Sequence, residues 1–303
     1  MTETQTGPMV REGNWGRWGE QDERGALNLL TPERVLAALQ TPRTGKLYSL
    51  SMPIERTGPH LDYRGAPQRL TLTNHSDESM FVNGFGGRVG VGANEDIVVM
   101  GTHTATHMDA LCHVYADGAT YNGHPHDGMS SYGGAAYSGI EKAGTIVTRG
   151  VLIDVAAAKG LPHLDFGYAI TADDLQTALK QQGVELRPGD AVLIRTGWLE
   201  LFMETDEMRL DQPGLSLEAA RFLGEQDVAV VGADNTSVEV QPWSEGEFLG
   251  GHIELLVKRG IHLIEHLSLA ELSADNCYQF LFATAPLRIV GATGSPVNPI
   301  AVG

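Results

Sequence analysis

Residues 103–113 read HTATHMDALCH. His103, His107, Asp109 and His113 all fall in this run, which takes three of the eleven histidines of the chain. Imidazole nitrogen and carboxylate oxygen suit borderline and hard divalent ions such as Zn2+ and Mn2+. On a helix, His103 and His107 share a face at i, i+4. In an extended stretch, His107 and Asp109 share a face instead. Either geometry brings three ligands to one ion. The competing explanation is a group of hydrogen-bonded core histidines at a strand end, and the clustering favours the metal. His113 is a further ligand or a general base, since an imidazole with an ordinary pKa near 6.5 moves protons at neutral pH.

Immediately upstream, DIVVM (96–100) reads as a buried strand that delivers the ligands at its end. GFGGRVGVG (84–92) lacks the GK[ST] of a phosphate-binding loop and reads as a flexible surface loop. RLTLTNH (69–75) and YSLSMPI (48–54) alternate as half-buried strands, and TPERVLAALQ (31–40) is a helix capped by Thr31 with Pro32 in its first turn. Trp15 and Trp18 either wall an apolar pocket or pack in the core. Residues 1–14 are polar and read as a flexible N-terminal arm, leaving 15–303 as one domain.

Downstream, residues 115–139 form a long loop of the kind that covers a site. Its His124 and His126 are lid residues, surface residues or ligands. The remainder alternates. Strands are expected at 145–156, 190–198, 228–235, 261–267 and 279–287, and helices at 170–183, 216–226 and 252–260. Mixed β-structure with interspersed helices gives an α/β or α+β fold. His252 heads the last helix. Glu265 lies inside the apolar strand IHLIEHL, where burying a carboxylate is costly without a cation or metal beside it; the alternative is a strand-end Glu in water. His262 and His266 are expected to face solvent or a subunit interface. Asp234 and Glu239, in GADNTSVE (232–239), either orient the histidines or make a turn.

Composition narrows the function. Hydrophobic residues make up 42% and charged residues 19% of the 303, as in a globular protein with a sizeable core. The net charge of −17 disfavours nucleic acid. No apolar run reaches the roughly 20 residues of a membrane span, and the N-terminus lacks a signal-peptide core. Two cysteines, Cys112 and Cys277, exclude a disulfide framework and fit a cytoplasmic protein. Cys112 is a soft ligand, a nucleophile or a buried filler.

The run 103–113 resembles the HxGTHxDxPxH signature of a cyclase family of metal-dependent hydrolases that includes kynurenine formamidase and isatin hydrolase. Ala105 stands where the signature has Gly, and Leu111 where it has Pro. WGEQDERGALNLLTPERV, GADNTSVE, the HIELL and GIHLIEHL segments and PLRIVGATGSPVNP are also similar to the longer members, so the resemblance runs from about Asn14 to Pro299. It implies metal ligation by His103, His107 and Asp109, and a catalytic His113. It places the two distal residues, which help hold a second zinc in the formamidases, on His252 and Glu265. Isatin hydrolase is linked to a single manganese. From His252 to Gly260 the spacing is one residue longer than in the formamidases. The implied fold is a swivelling β/β/α domain with a mixed sheet, assembled as a homodimer or homotetramer.

The expected activity is metal-dependent hydrolysis of a C–N amide or imide bond in a small cyclic or aryl substrate, with Zn2+ or Mn2+ as cofactor. Lactone hydrolysis or ring closure on the same ion is the alternative enzyme, and a non-catalytic metal or small-molecule binding protein the alternative from another class.

Overall fold

The computed structural model describes residues 13–244 and 246–303. Residues 1–12, most of the expected arm, lie outside the described residues. Asn14 is not part of a loose arm: its backbone N–H donates to the Lys258 carbonyl at 2.9 Å and its side-chain amide to the Arg259 carbonyl at 2.9 Å.

A nine-stranded mixed sheet organises the chain. From edge to edge it runs Leu47–Ser49, Ile300–Val302, Gln279–Thr284, Ile146–Asp154, Ala191–Arg195, Val230–Ala233, His262–Glu265, His107–Asp109 and Gly294–Pro296. The four strands Ile146–Asp154, Ala191–Arg195, Val230–Ala233 and His262–Glu265 are parallel, and the outer pairings are antiparallel. Parallel strands are covered on both faces, which is why their sequences are almost continuously apolar. Side-chain alternation splits that apolar content between two cores. Val151, Ile153, Val192, Ile194, Val231 and Leu263 pack on one face, and Leu152, Leu193, Val230, Ile264, Phe280 and Met108 on the other.

Helices between the parallel strands follow their sequence signals. Ala172–Gln182 begins with a capping box, Thr171 Oγ1 accepting from Asp174 N at 3.1 Å while Asp174 accepts from Thr171 N at 3.0 Å. It stops at Gly183, whose φ of 66° is left-handed and easiest for glycine. Leu217–Glu225 is capped by Ser216. The mixed α/β reading therefore holds. Among the described residues, no helix is long and apolar enough to cross a membrane.

Several expectations are corrected, among them the half-buried reading of 69–75, whose strand Gln68–Thr73 is exposed at all but its last residue. DIVVM does form a strand, Glu95–Val99, but every residue of it is exposed. It pairs with Gln68–Thr73 in a separate two-stranded ribbon instead of entering the main sheet. A short apolar run reads the same whether the tertiary fold covers it or not. Helix Glu78–Phe85 lies between the two ribbon strands and has no buried residue either. Gly84 and Phe85, read as loop, complete this helix, and Gly86 ends it in the left-handed region. The regular helix expected over 252–260 is also corrected. Gly250–His252 is followed directly by a π-helical stretch, Ile253–Lys258.

Candidate metal centre

Strand pairing builds the site. His107 and Asp109 point from one face of their strand while Met108 enters the core behind it. The antiparallel register sets Glu265 opposite His107, and Gly294 opposite Asp109 on the other side. His103 approaches over Gly294, where a β-carbon would lie 2.6 Å from His103 Cε1. Only glycine admits the ring there. His252 arrives from the short helix before the π-helix. An i→i+5 turn accommodates one extra residue, so the longer spacing from His252 to Gly260 still leaves His252 in the cluster.

Each imidazole is oriented by a bond on its outer nitrogen. His103 Nε2 lies 3.0 Å from Thr293 Oγ1, His107 Nδ1 is 2.8 Å from the Ala105 carbonyl, and His252 Nδ1 is hydrogen-bonded to Glu239 Oε1. All three inner nitrogens face Asp109. His103 Nδ1 is 2.7 Å and His107 Nε2 3.7 Å from Asp109 Oδ1; His252 Nε2 is 3.8 Å from Asp109 Oδ2. Glu265 Oε2 lies 3.1 Å from His107 Nε2 and Oε1 3.6 Å from His252 Nε2.

This geometry fits a divalent ion. His103 Nδ1, His107 Nε2 and both Asp109 oxygens are buried without an aligned hydrogen-bond partner among the described residues. Buried polar atoms normally have one. Ligands about 2.0–2.1 Å from a tetrahedral ion stand roughly 3.3 Å apart, and the separations here bracket that value. His103, His107 and Asp109 form one group with ligand atoms within 4.8 Å of one another, and Asp109, His113 and His252 form a second. Asp109 belongs to both.

The protonation preferences show the same demand for positive charge. Burial opposes ionisation of Asp109, but His113, His103 and His107 around it pull its carboxyl well below the usual range. Burial likewise disfavours a charged His252, yet Glu239 and Glu265 hold its pKa up at about 10. A divalent cation held by these residues would supply the positive charge that those protons supply here. His113 behaves differently: burial pushes it down to about 4. Its ring stacks on His103 at 4.0 Å between centroids. It opens with His252 and Glu265 into a cleft of about 440 Å3 that is walled by Tyr63, Tyr115, Trp243 and Phe248.

The other candidates sort clearly. His262 and His266, expected at solvent or an interface, are both 1% exposed within the single chain. The sheet is covered on both faces, so neither side of that strand reaches water. His262 Nδ1 donates to the Asp109 carbonyl at 2.8 Å; His266 lies between the Ala105 carbonyl at 3.1 Å and Thr236 Oγ1 at 3.0 Å. Asp234 orients no histidine; it accepts from Thr196 N at 2.9 Å and Gly197 N at 2.7 Å. His124 stacks on Tyr137 and His126 on Tyr115, outside both ligand groups. Cys112 is a buried filler whose thiol reaches the Ala292 carbonyl at 3.8 Å, and burial pushes it up to about 12. Trp15 and Trp18 pack against the core, Trp15 Nε1 donating to the Val257 carbonyl at 2.6 Å. Sequence reasoning missed Thr293 and Arg64. Thr293 sits in the quoted tail but carries no ligand signature, and Arg64 stands in an irregular stretch without a motif. A larger cleft, about 620 Å3, lies by the opposite sheet edge around Tyr48 and Cys277, where Lys46 is paired with Asp275.

Comparisons with known proteins identify the fold and the family. A crystal structure described as a novel cyclase is 36% identical, with 98% of this chain and 99% of that chain covered at a TM-score of 0.87. Two more distant structures share the fold. Isatin hydrolase A from Ralstonia solanacearum is 20% identical over 88% of this chain and 93% of its own, at a TM-score of 0.61. A predicted metal-dependent hydrolase from Bacillus stearothermophilus is 22% identical over 84% and 97%, at 0.55. No curated protein matches. Residues 48–240 match the family model described as "Putative cyclase", which spans the 103–113 run and stops short of His252 and Glu265. With most of its length matched by that model and nearly all of it by a cyclase structure, the chain belongs to the cyclase family.

Proposed function

We propose that the protein is a metal-dependent hydrolase that cleaves a C–N amide or imide bond of a small cyclic or aryl compound. His103, His107 and Asp109 would hold the ion, Zn2+ or Mn2+. His252 and Glu265 would complete its surroundings or hold a second ion through Asp109. A bound divalent ion supplies a Lewis acid that acidifies water and polarises a carbonyl. His113 then does the proton work. Burial keeps its ring neutral at pH 7, so it can accept a proton from the attacking water and return it to the leaving nitrogen. The aromatic walls of the cleft offer faces on which a flat substrate would stack.

The observation that carries this reading is the set of buried, unsatisfied inner atoms of His103, His107 and Asp109 beside His113 at the floor of a cleft. A purely structural site would close its own coordination shell. The isatin hydrolase and metal-dependent hydrolase folds support the same class. The test is elemental analysis of purified protein, then assays of N-formyl anilines, cyclic imides and lactones with Zn2+ or Mn2+, before and after EDTA. His113→Ala should keep the ion and lose about 10²–10⁴-fold in turnover. Full activity in excess EDTA rejects the reading, and turnover of lactones alone replaces amide with ester chemistry.

We also propose a catalytic domain over 15–303, a cytoplasmic setting and a homodimeric or homotetrameric assembly. Both cysteines are free, as a reducing compartment requires. In support of assembly, the ribbon and its helix leave Leu72, Phe85, Val89 and Val98 each more than half exposed, at 56%, 77%, 82% and 56%. A two-stranded ribbon is marginal in water by itself.

A further inference from the structure

One wall of the cleft carries a charge that the hydrolytic reading leaves unused. Arg64 closes the short 3-10 turn Asp62–Arg64 and lines the cleft together with His113, His252 and Glu265. Nη1 donates to the His103 carbonyl at 2.7 Å, and Nε lies 3.3 Å from the Tyr63 hydroxyl. A guanidinium has five N–H donors in a planar fork. Its Nη2 has no hydrogen bond among the described residues, and no carboxylate pairs with Arg64 there.

Nearby acids are committed elsewhere. Asp109 faces His103 and His107, and Glu265 faces His107 and His252. Glu239 faces His252, so none of the three buried carboxylates of the cluster pairs with Arg64. Arg64 is also the one lysine or arginine lining this cleft among the described residues. A chain of net charge −17 repels anions at long range. A single cation that no carboxylate pairs with among the described residues, tethered to the main chain of a metal-ligand candidate and facing an aromatic cleft, is the opposite local arrangement.

We propose that Arg64 is a specificity-determining residue whose free guanidinium edge takes a carboxylate of the substrate. The class is then an aryl or cyclic amide or imide bearing an acid group close to the scissile bond. Arginine suits this task because its fork matches a carboxylate in a way that a lysine does not. The reaction named here rests on the hydrolase reading, whereas the ligand contact does not.

The experiment measures binding of benzoate and its neutral isostere benzamide to metal-loaded protein by calorimetry, for wild type, Arg64→Met and Arg64→Lys. Metal content is determined for each. Wild type should prefer the acid, and Arg64→Met should cut the acid-over-amide preference by about 10–100-fold, with Arg64→Lys in between. A preference that survives in Arg64→Met overturns the proposal, because the ion then holds the acid. Loss of metal from Arg64→Met also overturns it, because Arg64 then serves only to fix His103. Turnover of N-formyl-2-aminobenzoate against N-formylaniline completes the test. An Arg64-dependent preference with neither compound hydrolysed rejects the reaction class and keeps the ligand assignment; hydrolysis of both at equal kcat/KM does the reverse.

Discussion

Glu265 and His107 are direct partners across an antiparallel strand pair, with Oε2 3.1 Å from Nε2 and both side chains almost fully buried. They are 158 positions apart in the chain (265 − 107). The register therefore brings a second carboxylate to the ligand run. Burial raises the Glu265 carboxyl, as does the charge of Asp109, and the adjacent His107 and His252 imidazoles bring it down to about 2. An anion so placed attracts a cation.

Glu265→Gln keeps the shape and removes that charge. The ion's affinity should fall by about 10–100-fold, read by calorimetric titration with Zn2+ or Mn2+, while circular dichroism shows an intact fold. Unchanged affinity means that Glu265 serves only to position His107.

Gly294→Ala tests the approach of His103. The added methyl would sit 2.6 Å from the ring, which is held by Thr293 and the His113 stack. The ring must move, so metal should bind at least tenfold more weakly. Stability of the metal-free protein should drop by about 1–3 kcal/mol. Wild-type affinity in this variant would show that His103 is not a ligand.

Ala105 stands where the family signature has glycine, and its φ of 54° is left-handed. A β-carbon costs about 1–2 kcal/mol there, which offsets the flexibility and burial that glycine forgoes. Ala105→Gly should therefore change stability by less than about 0.5 kcal/mol. Ala219→Gly, at a buried position of helix Leu217–Glu225, should lose about 1–2 kcal/mol in the same urea titration. Equal losses would show that Ala105 is unstrained.

Asp174 gives a pH-dependent contribution outside the candidate metal centre. Burial would raise its carboxyl, but hydrogen bonds from Lys159, Thr171 and Tyr168 hold it at about 2, against an ordinary 3.8. A depressed carboxylate stabilises the fold above its unfolded pKa, and that contribution disappears as pH falls through the folded value. Asp174→Asn should cost about 1–2 kcal/mol at pH 7. The gap from wild type should close between about pH 4 and about pH 2, and a pH-independent gap would assign the loss to the cap alone.

Local pattern carried far into this molecule. The run 103–113 named His103, His107, Asp109 and His113, and these do converge. Apolar runs, caps and glycine stops located the parallel strands and helices Ala172–Gln182 and Leu217–Glu225. These features depend on residues within a few positions of one another, so a linear reading reaches them. What lies beyond it is set by strand register and by what covers each face. DIVVM has the composition of a buried strand and lies exposed in a ribbon, whereas His262 and His266 look like surface residues and are buried. No spacing in the chain puts Arg64 against His103, Thr293 on the outer nitrogen of His103, or Gly294 beneath its ring. The sequence by itself determined the donor types and the local elements, because periodicity and capping are short-range. Only the tertiary structure decided which donors meet and what charge faces the cleft, because pairing across a sheet is a long-range choice that one-residue shifts would undo.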